Sequence, residues 1–235
     1  MTKLRRSLIS AAALVVAALL TGFADGPTAE PVDCRVAKCV ALTFDGGPGR
    51  YTAELLDLLA EERVPATFFL IGKGPVFTYP ELVRRMADEG HEVGNHSWTH
   101  PRLTEVPVAE ARRQLVLTQD AIEQVTGRRP TLMRPPQGRT NAEVAALCKE
   151  LGLAQILWNS RALDWREHDP KVIEERILKS AKRGGVVLLH DIYEGTVPAV
   201  PGIVKGLRER GFTLVSVERL FAPGVVEAGE VYRHA

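Results

Sequence analysis

No apolar run in this chain is long enough to cross a bilayer comfortably: the best candidate, Leu8 to about Leu20, falls short of the ~20 residues a spanning helix needs. It follows Lys3, Arg5 and Arg6 and runs out at Gly22-Phe23-Ala24, the tripartite pattern of a secretory signal. Residues 1–24 are therefore expected to be a leader, with an uncleaved anchor helix as the alternative, and no stable membrane span is expected once it is removed. No Cys stands at the exit, which argues against a lipid anchor. An excess of one charge is missing too: 30 Lys and Arg, three of them in the leader, face 29 Asp and Glu, which gives no electrostatic case for nucleic acid. No Pro/Gly/Ser-rich linker divides the remaining ~210 residues, so one domain is expected.

Cysteine is scarce. Cys34 and Cys39 lie close enough in Cys-Arg-Val-Ala-Lys-Cys to close a small loop in an oxidising compartment, against the alternative of two free thiols. Cys148 falls in the apolar stripe of Val144, Leu147 and Leu151 and reads as a buried, unreactive thiol. The expected division is leader 1–24, an N-terminal segment 25–37 whose disulfide reaches into the domain, the domain 38–222, and a polar tail 223–235. The tail lacks a core pattern and is expected to be loosely held.

What is present is alternation. Seven short apolar runs (40–44, 66–71, 91–93, 131–134, 153–158, 186–189 and 213–215) are separated by six stretches with apolar residues at three- and four-residue spacing: 51–63, 81–89, 107–126, 141–151, 170–183 and 198–210. This is the habit of an α/β fold with about seven parallel strands, and that number suits a (β/α) barrel. An open doubly wound sheet is the competitor, but no G-x-G-x-x-G follows the first strand, so a dinucleotide site has no support. Asp45, Asn95, Arg134 and His190 each fall at or just past the C-terminal end of a strand, and in a barrel those ends share one mouth.

His96 and His100, in His-Ser-Trp-Thr-His, can aim two imidazoles at one divalent cation and leave positions open for water or substrate. Zinc, cobalt and nickel all suit such ligands. A bound cation would polarise a carbonyl and acidify its water, and a base must then take the proton. Asp45 is the candidate base, with Arg134 to orient it and keep it ionised. His190, after the run Val186 to Leu189, is placed to return a proton to a leaving group, and Asp164 can orient it. Tyr193, Glu194 and Thr196 sit where a loop could line the cleft. Taken singly, each of these residues has an ordinary structural reading; their common position at strand ends favours a site. His91 is expected to face solvent or a helix, and His168 to be a turn residue near a helix start.

The ordered set T-F-D-x-G-P (from Thr43), H-S-x-T-H (from His96), R-x-P-x-G (from Arg134), D-W (from Asp164) and L-x-H (from Leu188) resembles the polysaccharide deacetylases of carbohydrate esterase family 4, the nodulation-protein-B-like domain, over roughly Cys39 to Leu220. The resemblance implies a distorted (β/α) barrel and metal-dependent removal of acetyl groups from N- or O-acetylated glycans. It implies Asp45 as base, His96 and His100 as ligands, Arg134 steadying the base, and His190 as acid tuned by Asp164. The backbone N–H of Gln137 would help hold the oxyanion, while Trp165 and Leu188 shape the pocket for the acetyl methyl.

One departure matters. The family pattern T-F-D-D-G supplies a second aspartate as third metal ligand, and this chain has Gly46 there. Water filling the vacancy, Asp45 moving onto the metal, and an empty site all remain open. The expectation is an exported or cell-wall-associated monomeric deacetylase of an acetylated polysaccharide or oligosaccharide, with a divalent metal, zinc first. A glycan-binding pseudoenzyme is the alternative, and an amide hydrolase of small non-sugar substrates a weaker one. Peptidoglycan, chitin oligomers and acetylated xylan are not distinguished.

Overall fold

The structure, a computed structural model, describes residues 32–235. The expected leader 1–24 and the start of segment 25–37 lie outside the described residues. Nine strands form one sheet: β1 (Cys39–Asp45), β2 (Thr67–Leu70), β3 (Glu92–Asn95), β4 (Leu132–Met133), β5 (Ala154–Ile156), β6 (Ser160–Arg161), β7 (Gly185–His190), β8 (Thr213–Val215) and β9 (Val231–Tyr232). Their order is β6-β7-β1-β2-β3-β4-β5-β9, and β8 pairs with the start of β1. Every strand pairing is parallel, and the sheet curls into a half-barrel of a single α/β domain, the distorted barrel expected.

The alternation of side chains along a strand sorts two apolar layers. Val40, Leu42 and Phe44 of β1, with Val187 and Leu189 of β7, face the helices, whereas Cys39, Ala41 and Val186 face the inside of the curl. Both faces of β1 are thus covered, and all seven of its residues are buried, as a central parallel strand requires. The same alternation has a chemical consequence: Asp45 and His190, two residues on from Thr43 and Leu188, fall on the inner face at the strand ends.

Six helices pack outside, α1 (Thr52–Glu61), α2 (Pro80–Asp88), α3 (Val108–Thr126), α4 (Ala142–Glu150), α5 (Pro170–Ser180) and α6 (Thr196–Glu209), while α7 (Val217–Phe221) sets Val217 and Leu220 against the inner layer of Cys39, Ala41 and Val186. Local chemistry sets their ends. Asn141 accepts from the Val144 N–H to cap α4, Asp169 accepts from the Lys171 N–H ahead of Pro170 to start α5, and Gly127 at φ 71° closes α3. Among the described residues no helix is long and apolar enough to cross a membrane.

Cys34 and Cys39 are disulfide-bonded, tying the segment before β1 to its first residue. Cys148 is a buried free thiol whose pKa burial pushes up to about 12. The tail departs from expectation: Val231 and Tyr232 pair in parallel with Gln155 and Ile156, and the Ala235 N–H reaches the Gly184 carbonyl at 2.8 Å. Short backbone pairings, the Tyr232 ring edge-on to Phe221 at 5.0 Å and the Gln155 side-chain amide donating to the Gly229 carbonyl hold it, and none of these leaves an apolar period to read. Of the two positions expected for His91, solvent or a helix, it takes the second, buried edge-on to Phe68 of the helix-facing layer with its Nδ1 accepting from the Ala66 N–H, and burial lowers its pKa to about 4.

Candidate active site

Asp45 ends β1 level with His190 at the end of β7 and with Phe69 on its other side. Its carboxylate is 3% exposed, and Oδ1 accepts from Arg134 Nη1 at 2.7 Å. Arg134, just past β4, is fully buried, an arrangement tolerable only because its donors are engaged. Nη1 also reaches Thr43 Oγ1 at 2.7 Å, Nε the Ile156 carbonyl at 2.8 Å, and Nη2 the Leu157 carbonyl at 3.2 Å. The guanidinium lies 4.3 Å from the Phe69 ring centroid, closing its flat face against an apolar wall. Burial pulls its pKa down and the charge of Asp45 opposes this; an arginine so paired stays a cation.

His96 follows β3, its N–H bonded to the Leu70 carbonyl. Its Nδ1 lies 2.7 Å from the Arg134 carbonyl, which fixes the proton there and leaves Nε2 bare toward the cleft, 3.7 Å from Asp45 Oδ2. The His100 ring stands 4.8 Å from that of His96. Asn95 holds the loop between them, accepting from the Ser97 N–H at 2.8 Å while its amide donates to the Leu115 carbonyl, and Ser97 Oγ then accepts from the His100 N–H. Burial depresses both imidazoles, that of His96 to about 4, so both are neutral at pH 7.

Across the mouth, Asp164 is fully buried. Its Oδ1 accepts from His190 Nδ1 at 2.9 Å, and its Oδ2 accepts from the His190 N–H at 2.7 Å and from Thr196 Oγ1 at 2.9 Å. Burial works against the His190 cation, but the hydrogen bond and charge of Asp164, reinforced by Asp45 and Asp191, outweigh it and raise the pKa. Trp165 and Tyr193 stand edge-on to the His190 ring at 5.7 and 5.5 Å.

The cleft of about 410 Å³ is lined by Asp45, His96, His100, Gln137, Leu188, Trp165 and His190, so seven of the nine residues given a catalytic, ligand, oxyanion or pocket role from the sequence meet on one surface. The other two, Arg134 and Asp164, stand behind it and hold Asp45 and His190. Trp158, Arg161 and Tyr193 complete the lining. Tyr193 is expected near the cleft; Trp158 is expected only as the end of the apolar run 153–158, and Arg161 not at all, because β6 is too short to show alternation. Glu194 is exposed, and Thr196 serves Asp164 rather than the cleft. Strain concentrates here: among the described residues five non-glycine residues have positive φ, and Ser97, His100, Gln137 and Leu163 of these lie in loops around the mouth.

Sequence reading also passed over Asp191. It is fully buried, with Oδ2 accepting from Thr52 Oγ1 at 2.5 Å and Oδ1 without a partner among the described residues. Thr52 Oγ1 accepts in turn from the Gly49 N–H, so Asp191 binds the loop after β1 to the end of β7. A Cβ on Gly47 would overlap its carboxylate, which requires glycine there. Burial pushes the Asp191 pKa up to about 6.

Among the described residues no three His, Cys, Asp or Glu side chains are grouped to hold a metal ion. The neutral imidazoles of His96 and His100, one anchored through its far nitrogen, are donors that suit a borderline divalent cation. At position 46 the φ of +89° and Ile192 Cδ1, 3.2 Å from where a Cβ would stand, leave room for glycine and little else. The donor set therefore fits a cation held by two imidazoles with no carboxylate from position 46.

A family model described as polysaccharide deacetylase matches residues 33–156. The chain is 43% identical over 195 residues to the peptidoglycan-N-acetylmuramic acid deacetylase PdaC of Bacillus subtilis (strain 168), a match covering 83% of this chain and 41% of that protein. It thus spans about two fifths of that relative's length. It is 36% identical to the chitooligosaccharide deacetylase of Bradyrhizobium sp. (strain ANU 289) over 80% of this chain and 93% of that one. A solved structure of a T48 deacetylase with substrate superposes with a TM-score of 0.81 at 44% identity, covering 86% of this chain and 99% of the other.

Proposed function

Since the chain belongs to the polysaccharide deacetylase family, we propose that it hydrolyses acetyl groups from an acetylated glycan outside the cell, with Asp45 as base and His190 as acid. The observation that carries this reading is the register of β1 and β7, which sets Asp45 and His190 opposite each other, one backed by a buried cation and the other by a buried carboxylate.

The chemistry follows from those protonation states. Arg134 donates to Asp45 Oδ1 at 2.7 Å and fixes the carboxylate in place, so Oδ2 can take a proton from water as the oxygen adds to the acetyl carbonyl. The Gln137 N–H, in a turn at φ 59°, stabilises the resulting oxyanion, and the Gln137 side chain is tied back by Arg102 Nε at 2.9 Å. His190, protonated through Asp164, delivers a proton to the departing amine or alkoxide as the C–N or C–O bond breaks, leaving acetate. Leu188 and Trp165 close the space around the acetyl methyl and keep out bulk water. A divalent cation held by His96 and His100, with zinc first and cobalt or nickel also suited, supplies Lewis acidity and a more acidic water when bound.

Export rests on the leader pattern of residues 1–24 and agrees with the Cys34–Cys39 disulfide. A cell-wall substrate is supported by the relative named for peptidoglycan, and a chitin-type oligomer by the one named for chitooligosaccharides.

The test is acetate release from chitooligosaccharides and from peptidoglycan fragments, with zinc stoichiometry measured on the same preparation. Acetate production that disappears in His96→Ala supports the reading. Gly46 makes a second outcome specific: glycan binding with neither metal nor acetate would identify a binding protein that has kept the cleft.

A further inference from the structure

Arg161 is the one cleft residue whose charge the proposed reaction does not use. β6 pairs with β7 so that Ser160 lies beside Val187 and Arg161 beside Leu188. Ser160 turns away from the mouth and bonds Ser180 Oγ of α5 at 2.5 Å, so the next residue projects to the opposite face, into the cleft that Leu188 also lines. The backbone there is firmly held. Asn159 exchanges hydrogen bonds with Val186 through both its N–H and its side-chain oxygen, and the Ala162 carbonyl accepts from Arg176 Nη1 at 2.9 Å.

The guanidinium has no carboxylate within ion-pair distance among the described residues. Some arginines of the outer helices, Arg85, Arg112, Arg113 and Arg208 among them, are paired with Asp or Glu and others are not, so what distinguishes Arg161 is that it is unpaired inside the cleft. Arg134, buried behind the cleft, is committed to Asp45, and Arg102 at its rim to Gln137 and Glu105. An unpaired arginine on a rigid strand beside two indoles, Trp158 and Trp165, has the composition of a sugar-carboxylate site: the indoles offer apolar faces to the ring, and the planar fork matches a carboxylate bidentately.

We propose that Arg161 is a specificity residue that binds a carboxylate carried by the acetylated glycan, so that the preferred substrate class is an acidic sugar polymer. This rests on the deacetylase reading above. A lactyl ether on an amino sugar and a uronic acid offer the same group, and the test separates them.

Acetate-release kinetics of the wild type, Arg161→Ala and Arg161→Lys are compared on four substrates: an N-acetylmuramic-acid-containing oligosaccharide, the same compound with its carboxyl amidated, a glucuronate-bearing acetylated xylan oligomer, and a neutral chitooligosaccharide. In Arg161→Ala the ratio of kcat/KM on a carboxylated substrate to that on its neutral counterpart falls about 10- to 100-fold, mainly through KM, and Arg161→Lys loses less. Whichever acidic substrate shows the fall identifies the source of the carboxylate. An unchanged ratio on both acidic substrates, in variants whose Tm matches the wild type, overturns the proposal. Wild-type acetate release from the neutral oligomer tests the deacetylase reading separately. Should no substrate yield acetate, that reading fails, and calorimetric affinity for the muramic oligosaccharide and its amide decides the role of Arg161 by the same ratio.

Discussion

Asp164 grips His190 twice, Oδ1 taking the Nδ1 proton at 2.9 Å and Oδ2 the backbone N–H at 2.7 Å, so one carboxylate fixes both the position and the charge of the imidazole. Because Asp164 is the larger influence raising the His190 pKa against burial, its charge determines how far into alkaline pH the acid stays protonated. In Asp164→Asn the burial effect is left with less opposition and the His190 pKa falls. The alkaline limb of the pH profile of kcat for acetate release therefore moves to lower pH, with turnover reduced about 10- to 100-fold at pH 8. An alkaline limb that stays in place in Asp164→Asn would remove His190 from the role of acid.

Position 46 makes a prediction with two opposed parts. Gly46→Asp restores a carboxylate near the imidazoles and is expected to raise zinc affinity by about 10- to 100-fold in calorimetric titration of chelator-treated protein. The backbone there has φ +89° and the new Cβ meets Ile192 Cδ1 at 3.2 Å, so the same change lowers stability by about 1–2 kcal/mol. Gly46→Asp/Ile192→Ala keeps the gain in affinity and relieves the crowding. Unaltered zinc affinity in both variants would mean that a carboxylate at 46 does not reach His96 and His100.

Arg134 and Asp45 form a buried pair in which neither charge has water to fall back on. Arg134→Met leaves Asp45 buried without its cation and is expected to lower stability by about 3–5 kcal/mol. Asp45→Asn in the same chain then recovers part of the loss, since the remaining carboxamide carries no charge. Urea midpoints of the two single variants and the double variant give the coupling. Additive losses would show that the two side chains do not depend on each other, contrary to the 2.7 Å contact.

How much of this was readable beforehand depended on the length of the signal. β1 and β7 carry six or seven residues, enough for an apolar run to stand out and for its polar terminus to be recognised as Asp45 or His190. β6 and β9 have two residues each and no period, so Arg161 escaped notice and the tail looked unattached. The third ligand position could be judged because a missing carboxylate is visible in sequence as Gly46. The constraint on Gly47 could not be judged, because it comes from Asp191, more than a hundred residues away. The choice for His91 between solvent and a helix stayed open for a related reason: its burial comes from packing on Phe68 and bonding to Ala66, neither of which its own neighbours announce.

Asp191 supplies a prediction independent of catalysis. Its carboxyl is fully buried with one oxygen unpartnered, and its pKa is raised from 3.8 to about 6. A carboxyl whose folded pKa lies above the unfolded one favours folding while protonated, and that contribution is lost as pH rises through about 6. Above that pH the native state holds a charge it would rather release, a penalty of up to about 3 kcal/mol for a shift of this size. Asp191→Asn removes the charge while its side-chain oxygen still accepts from Thr52 Oγ1. It is therefore expected to raise the urea midpoint at pH 7.5 and to match the wild type near pH 4. A destabilisation at pH 7.5 would show instead that the ionised carboxylate is needed where it stands, bound to a cation or to groups beyond Thr52.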